Sequence, residues 1–342
     1  MKVLCLWYAT EEEKIYVRSM LPAGTEVVAP EGKYFSRFDC NYADVAHLAP
    51  SADAIIAFSL PNGLLPLCEN LKIFSWMHTG VDDLRSMGAF EIFRQRGIQA
   101  ANVRGANTVA VAEQAMMFVL ALAKKTVVKH RAAEEGKFLF PLYADEHRSA
   151  MLHGRTIGVI GVGTIGSRVA KHAKGFDMKV LGVRRSKDAA PVDCFDAMFG
   201  PDELHDVLSQ SDYVVLAAPD TPETRGFIGA AELDVMKRSA FLVNVSRAAL
   251  VQEDALYEAL TSGQLRGYAT DVPWLYNYGN TFPYSWGSRL NIQKLPNVIT
   301  SNDQAANADD VLERDIQFGT ENVAQFFAGK PMERQIRLDL GY

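Results

Sequence analysis

Three glycines carry the most specific chemistry in the chain. Gly161, Gly163 and Gly166 stand in the spacing G-x-G-x-x-G. An apolar, β-branched run at 156–160 precedes them, and helix-forming residues at 167–174 follow, with Val169 and Ala173 one turn apart. A strand that turns sharply into a helix in this way cradles a pyrophosphate. Gly161 permits the tight turn, Gly163 lets a phosphate approach the backbone, and Gly166 lets the helix pack close to the strand. The helix start at Thr164 and Ile165 offers unpaired N–H groups and a positive dipole end. Gly175 is a plausible stop, and a second strand at 178–183 would complete a βαβ unit. The spacing alone also suits an ordinary turn. The flanking strand and helix favour a dinucleotide site.

The end of that second strand separates the two nicotinamide dinucleotides. An NAD site usually has Asp or Glu there, on the ribose hydroxyls. This chain has Arg184, Arg185, Ser186 and Lys187, while Asp177 precedes the strand and Asp188 lies beyond the cluster. Guanidiniums and a hydroxyl suit a 2′-phosphate, so NADP is expected, with NAD as the alternative. The competing reading is a solvated basic turn.

These residues need a scaffold. A chain of 342 residues suggests about two domains. Its 48% hydrophobic content allows sizeable cores. The net charge of −6 gives no reason to expect nucleic acid or an anionic membrane surface. Cys5, Cys40, Cys68 and Cys194 are far apart, so they read as reduced thiols of a cytoplasmic protein and not as a metal site. The apolar run at 3–9 is short and is followed by Glu11, Glu12 and Glu13, so it reads as a strand and not a secretion signal.

Strand and helix signals alternate through the chain. Strands are expected at 3–8, 26–28, 54–58 and 72–77, and helices at 11–20 and 82–96, with another candidate at 41–48. A long amphipathic helix is expected at 107–125. Its apolar side could serve a second subunit or be buried in its own chain. Residues 137–151 read as irregular. Beyond the basic turn, helices are expected at 202–208, 230–236, 253–262 and 305–328, and strands at 213–217, 241–245 and 267–270. The fold class is α/β, with two Rossmann-like, doubly wound parallel sheets. The final segment is too short for a domain and is expected to return to the first one. Residues 1–102 with 303–342 would form a flavodoxin-like substrate domain, and residues 103–302 the dinucleotide domain.

Several segments resemble one family, the D-isomer-specific 2-hydroxyacid dehydrogenases. Residues 78–82 look like its substrate-carboxylate loop, and residues 107–113 like the start of its interdomain helix. Residues 219–224 are similar to a loop beside the cofactor, and residues 236–251 resemble the strand and loop that carry its arginine. The resemblance implies two domains with an active cleft between them, usually in a homodimer. It implies a small carboxylate as substrate, received by His78, Thr79 and Gly80, with Asn107 lining the cleft. Arg247 would orient and polarise the substrate. Ala218, Pro219, Val245, Ser246 and Asp271 would lie along the cofactor.

The family's acid is a His in a Pro-His element after Pro-Asn-Val, tuned by a Glu five residues past an Asp. After Pro296, Asn297 and Val298 this chain has Asn302 and Asp303 at those positions, and Tyr276 stands five residues past Asp271. No His occurs after His205. Three readings follow. In the first, the enzyme still moves hydride but uses another acid: Asp303 would need burial to raise its pKa, Tyr276 a neighbouring cation, and His78 would have to reach the cleft instead of sitting satisfied in its loop. Alternatively, water or the substrate supplies the proton. In the third reading the protein binds NADP(H) with little chemistry, as a sensor or partner-binding protein. The stretch 271–296 also holds Trp274, Tyr276, Tyr278, Phe282, Tyr284 and Trp286, either as a lid over a bulky substrate or as a self-packed or dimer-facing loop. The leading expectation is an NADP-preferring oxidoreductase acting on a 2-oxo or 2-hydroxy carboxylate.

Overall fold

A computed structural model describes residues 1–34, 36–274 and 287–342. The chain divides into two compact units, Met1–Asn107 with Ala308–Tyr342, and Thr108–Asn307. Both junctions fall five residues later than expected, so Asp303 belongs with the second unit and not the first. Among the described residues, no helix is long and apolar enough to cross a membrane.

The first unit holds five strands, β1 (Lys2–Leu6), β2 (Glu26–Val28), β3 (Ala54–Ala57), β4 (Ile73–Trp76) and β5 (Gln99–Asn102). They pair in parallel in the order β2-β1-β3-β4-β5. All four residues of β3 and of β4 are buried, as strands covered on both faces must be. Helix Val311–Phe327 covers one face. The Ser75 hydroxyl donates to the Gly319 carbonyl at 2.9 Å, and the Asn322 amide donates to the Asn102 carbonyl at 2.8 Å. This helix starts later than the expected residue 305, because Asp310 sits at φ 62 and interrupts it. The expected helix at 82–96 is two helices, Asp82–Ser86 and Ala89–Arg96, broken where Gly88 takes φ 72.

The second unit holds seven strands: β6 (Thr156–Ile160), β7 (Lys179–Val183), β8 (Ala197–Phe199), β9 (Tyr213–Leu216), β10 (Phe241–Asn244), β11 (Gly267–Thr270) and β12 (Val298–Thr300). Their order is β12-β11-β10-β9-β6-β7-β8, all parallel. The connection reverses direction beside β6, and in open parallel sheets ligands bind off the carboxyl ends of strands at such a point. Helix Thr108–Lys124 spends most of its apolar face inside this unit, where Ala112, Phe118 and Val119 pack with Ile157, Val159 and Phe241.

One row of paired residues organises the carboxyl edge. Ile160 pairs with Leu216, Leu216 with Asn244, Asn244 with Thr270, and Thr270 with Thr300. Gly161, Ala218, Arg247, Asp271 and Asp303 all stand one to three residues beyond that row.

Candidate active site

The glycine turn has the shape its spacing predicts. Gly161 takes φ +103, and a Cβ there would lie 2.4 Å from the Ala218 nitrogen. A Cβ on Gly166 would lie 2.0 Å from the Gly161 carbonyl oxygen, so helix Thr164–Lys174 needs glycine to approach the strand. Around Gly163, by contrast, nothing stands within 4 Å of an added Cβ. Two glycines are therefore required by the protein itself, and the third faces open space where a pyrophosphate fits. Thr164 begins the helix, and its hydroxyl accepts from Thr108 at 3.0 Å. The residues present fit a dinucleotide.

The basic turn divides its labour. Arg184 folds back onto its own loop, donating to the carbonyls of Lys187 at 3.1 Å and Ala190 at 3.0 Å, and also to that of Ala189. It shapes residues 187–190 and is only partly exposed. Arg185 and Ser186 are exposed, and Lys187 pairs with Glu203 at 3.1 Å.

From the turn, a short relay leads to Arg247. Ala218 abuts Gly161, the Ser246 hydroxyl donates to the Ala218 carbonyl, and Arg247 is the next residue. Pro219 begins a loop locked by Thr224, whose hydroxyl donates to the Pro219 carbonyl at 2.6 Å. Val245 is buried. Asn244, fully buried, holds the loop from both sides. Its amide donates to the Arg247 carbonyl at 2.9 Å, and its side-chain oxygen accepts from the Ser246 N–H at 3.0 Å. Arg247 itself is partly buried, and its guanidinium donates to the Ser246 carbonyl at 3.0 Å. Asn244 was not singled out from the sequence, although a polar residue ending an apolar strand was its available signal.

Asp271 turns out to anchor a loop. Its carboxylate accepts from the Ser301 hydroxyl at 2.5 Å, the Gln304 N–H at 2.9 Å and the Ala305 N–H at 3.1 Å. Burial, with the charge of Asp303 acting in the same direction, pushes the Asp271 carboxyl above the ordinary range, against the donors that favour its ionised form. The loop it holds carries Asn302 at φ 50 and Asp303 at φ 62. Asp303 is exposed, so the burial that an acid role would require of it is not present. Tyr276, together with Tyr278, Phe282, Tyr284 and Trp286, lies outside the described residues. Trp274 is half-buried, and its indole donates to the Val251 carbonyl at 3.2 Å.

In the first unit, the loop after β4 is fixed by its neighbours. A ring nitrogen of His78 lies 2.6 Å from the Phe58 carbonyl oxygen, and its ring packs on Trp76 at 4.7 Å between centroids. The loop carbonyls of Thr79 and Gly80 accept from Asn102 at 2.8 Å and Trp76 at 3.1 Å. The Thr79 hydroxyl donates to Asn107 at 3.0 Å. Thus Thr79, Gly80 and Asn107 come together, and His78 is a loop-building residue. Asp315, on the helix that covers this sheet, was missed by sequence reading. Burial pushes its carboxyl up to about 7.

A family model for the NAD binding domain of D-isomer specific 2-hydroxyacid dehydrogenases matches residues 116–305. A glyoxylate reductase of Korarchaeum cryptofilum is 32% identical over 85% of this chain and 81% of its own length. A D-3-phosphoglycerate dehydrogenase of Archaeoglobus fulgidus is 30% identical over 99% of this chain, which spans 59% of that protein's length. Among solved structures, a D-isomer specific 2-hydroxyacid dehydrogenase family protein from Aeromonas salmonicida superposes with a TM-score of 0.80 at 25% identity, covering 99% of each chain. With the paired parallel sheets and the glycine turn, these matches show that the chain belongs to the D-isomer-specific 2-hydroxyacid dehydrogenase family and that its second unit is that family's NAD-binding domain.

Proposed function

We propose that this protein transfers a hydride between a nicotinamide dinucleotide, NADP(H) in preference to NAD(H), and a small 2-oxo or 2-hydroxy carboxylate. The relay from Gly161 through Ala218 and Ser246 to Arg247 carries this reading, because it fixes a guanidinium relative to the phosphate-binding turn within one unit. Gly161, Gly163, Thr164, Ile165 and Gly166 would hold the pyrophosphate, with Ala218, Pro219, Val245 and Ser246 alongside. Arg185 and Ser186, with Arg184 shaping their loop, would receive the 2′-phosphate. When bound, the dinucleotide supplies or accepts the hydride. Arg247 orients the substrate as a planar, permanently charged fork. The N–H groups of Thr79 and Gly80, in a loop whose carbonyls are tied back, suit a carboxylate oxygen.

The test follows NADPH and NADH absorbance with a panel of 2-oxo acids. Turnover with NADPH is expected. Tight NADPH binding without turnover on any member would overturn the reading in favour of a cofactor sensor.

The same reading includes a homodimer. A groove of about 500 Å³ on the second unit is lined by Met116, Met117, Leu120 and Phe176. The same unit leaves Phe138, Phe140, Leu142 and Tyr143 more than half exposed, an apolar segment suited to such a groove on a second copy. Light scattering on the wild type and Met117→Glu checks it. A dimer that Met117→Glu dissociates is expected, and a wild-type monomer would refute it.

A further inference from the structure

Three neighbouring strands of the first unit lead into aromatic residues. Leu6 pairs with Ala57 and Ala57 with Trp76, which sets the ends of β1, β3 and β4 in one row. Trp7 and Phe58 follow that row by one residue, and His78 follows it by two. The Trp7 indole meets the Phe58 ring edge-on, at 5.6 Å between centroids and 87°, and the His78 imidazole does so at 6.3 Å and 84°. A fourth ring comes from the loop after β2. The Tyr8 N–H donates to the Arg37 carbonyl at 2.9 Å, and the Cys40 N–H donates to the Ser59 hydroxyl oxygen at 3.0 Å. The loop is thus stitched to the ends of both β1 and β3. Phe38, between the two stitches, lies 4.9 Å from Phe58.

The polar side chains around these rings are turned to one another. Arg37 lies over the Phe38 ring at 4.6 Å, yet its guanidinium donates to Glu13 at 2.8 and 3.1 Å. The Trp7 indole donates to the same carboxylate at 3.0 Å, and the Tyr8 hydroxyl donates to Asp44 at 2.6 Å. The two phenylalanine rings are not closed over. Phe38 and Phe58 are half-buried, whereas Phe74, Phe90 and Phe93 in the core of the same unit are at most 1% exposed. A single half-exposed ring is ordinary. Two that touch at the carboxyl edge of an open parallel sheet stand where such sheets take their ligands. The loop of Thr79 and Gly80, whose N–H groups suit a carboxylate, continues directly from His78.

We infer that Phe58 and Phe38 form the wall that receives the substrate's side chain, and that the substrate is a 2-oxo acid whose side chain is bulky and apolar, aromatic or branched. This rests on the hydride-transfer reading above and names its substrate class. The carboxylate is held at the N–H groups of Thr79 and Gly80, and the side chain lies over the half-buried faces of the two rings. Apolar surface leaves water on both partners, which favours binding. A phosphate at the same place would have to give up water against ring surface while Arg37 is already held by Glu13, so it binds there at a loss.

The test measures kcat/KM of the purified protein with NADPH for phenylpyruvate, the 2-oxo acid of leucine, glyoxylate and phosphohydroxypyruvate. The first two should exceed the last two by roughly tenfold or more. Phe58→Ala and Phe38→Ala should each lower the ratio of phenylpyruvate to glyoxylate by roughly tenfold, through KM more than kcat. That ratio is indifferent to how much of a variant folds, so a loss of stability in Phe58→Ala does not mask the result. Phe58→Leu, which keeps apolar volume at the wall, should restore most of the ratio. Glyoxylate or phosphohydroxypyruvate turned over as well as phenylpyruvate, or better, would overturn the inference and leave hydride transfer standing. A wild-type preference for phenylpyruvate that both alanine variants keep would overturn the assignment of this wall. No turnover of any 2-oxo acid, with NADPH bound tightly, would overturn the hydride-transfer reading and the inference with it.

Discussion

The Ser301 hydroxyl donates to the Asp271 carboxylate at 2.5 Å, joining the ends of two adjacent strands. Through this contact, and the N–H groups of Gln304 and Ala305, one buried carboxylate sets the path of the loop that presents Asp303. Asn244 extends the arrangement by one strand. Its carbonyl accepts from the Asp271 N–H at 3.1 Å while its side chain holds the Arg247 loop. Guanidinium and carboxylate are thus positioned by one connected set of hydrogen bonds.

Removing the Ser301 hydroxyl should show this. Ser301→Ala deprives a buried carboxylate of one donor, which costs about 1–3 kcal/mol of stability. It should also lower kcat while leaving dinucleotide affinity unchanged, because the glycine turn is not touched. Ser301→Thr keeps the hydroxyl and should restore both. Chemical unfolding, NADPH titration and kinetics on the two variants check the split. Unchanged kcat in Ser301→Ala would mean that the loop holds its position without Asp271.

Arg184 and Arg185 should behave differently although they are neighbours. Arg184 donates to three carbonyls of its own loop, so Arg184→Ala should weaken NADPH and NADH binding together and lower thermal stability. Arg185 is exposed at the next position, and Arg185→Glu should weaken NADPH by roughly tenfold or more while sparing NADH. Fluorescence titration of both cofactors against both variants decides it. Equal weakening by Arg185→Glu would remove the 2′-phosphate assignment.

Local pattern made the glycine turn readable, since its strand, turn and helix are contiguous. Strands β2 and β11 fall where alternation and β-branching place them. By contrast β5, with the sequence Gln-Ala-Ala-Asn, has no strand signal of its own and is ordered by pairing with β4. Strand β12, Val-Ile-Thr, is β-branched throughout and was missed for its three-residue length, as was β8, while helix Thr126–Glu134, with no buried residue, has no apolar face to reveal it. At the site, residue types were visible but their commitments were not. That Arg184 turns inward, or that Asp271 meets Ser301, depends on contacts made only once the chain is folded.

Asp315 makes a prediction about pH. Burial raises its folded carboxyl to about 7, whereas the unfolded chain titrates near about 4. Between those values the folded state keeps a proton that the unfolded state releases, so stability should fall as pH rises through this window. Asp315→Asn removes the titration. Melting temperatures should coincide for variant and wild type near the acid end and diverge toward neutral pH, with the variant higher. Parallel curves across the window would show that Asp315 is hydrated in the folded protein.

Gly163 and Gly161 provide a paired test of the phosphate cradle. Gly161→Ala would put a Cβ 2.4 Å from the Ala218 nitrogen at φ +103, so the turn must distort and the protein should lose stability or fail to fold. Gly163→Ala meets no protein atom within 4 Å, and its backbone is extended, so folding should be unaffected. The added methyl instead occupies the space through which a pyrophosphate would approach. Gly163→Ala should therefore melt with the wild type and bind both dinucleotides roughly tenfold or more weakly. Because the pyrophosphate is common to NAD and NADP, the loss should be the same for each, unlike the selective loss in Arg185→Glu. Undiminished binding in a normally folded Gly163→Ala protein would place the phosphates elsewhere.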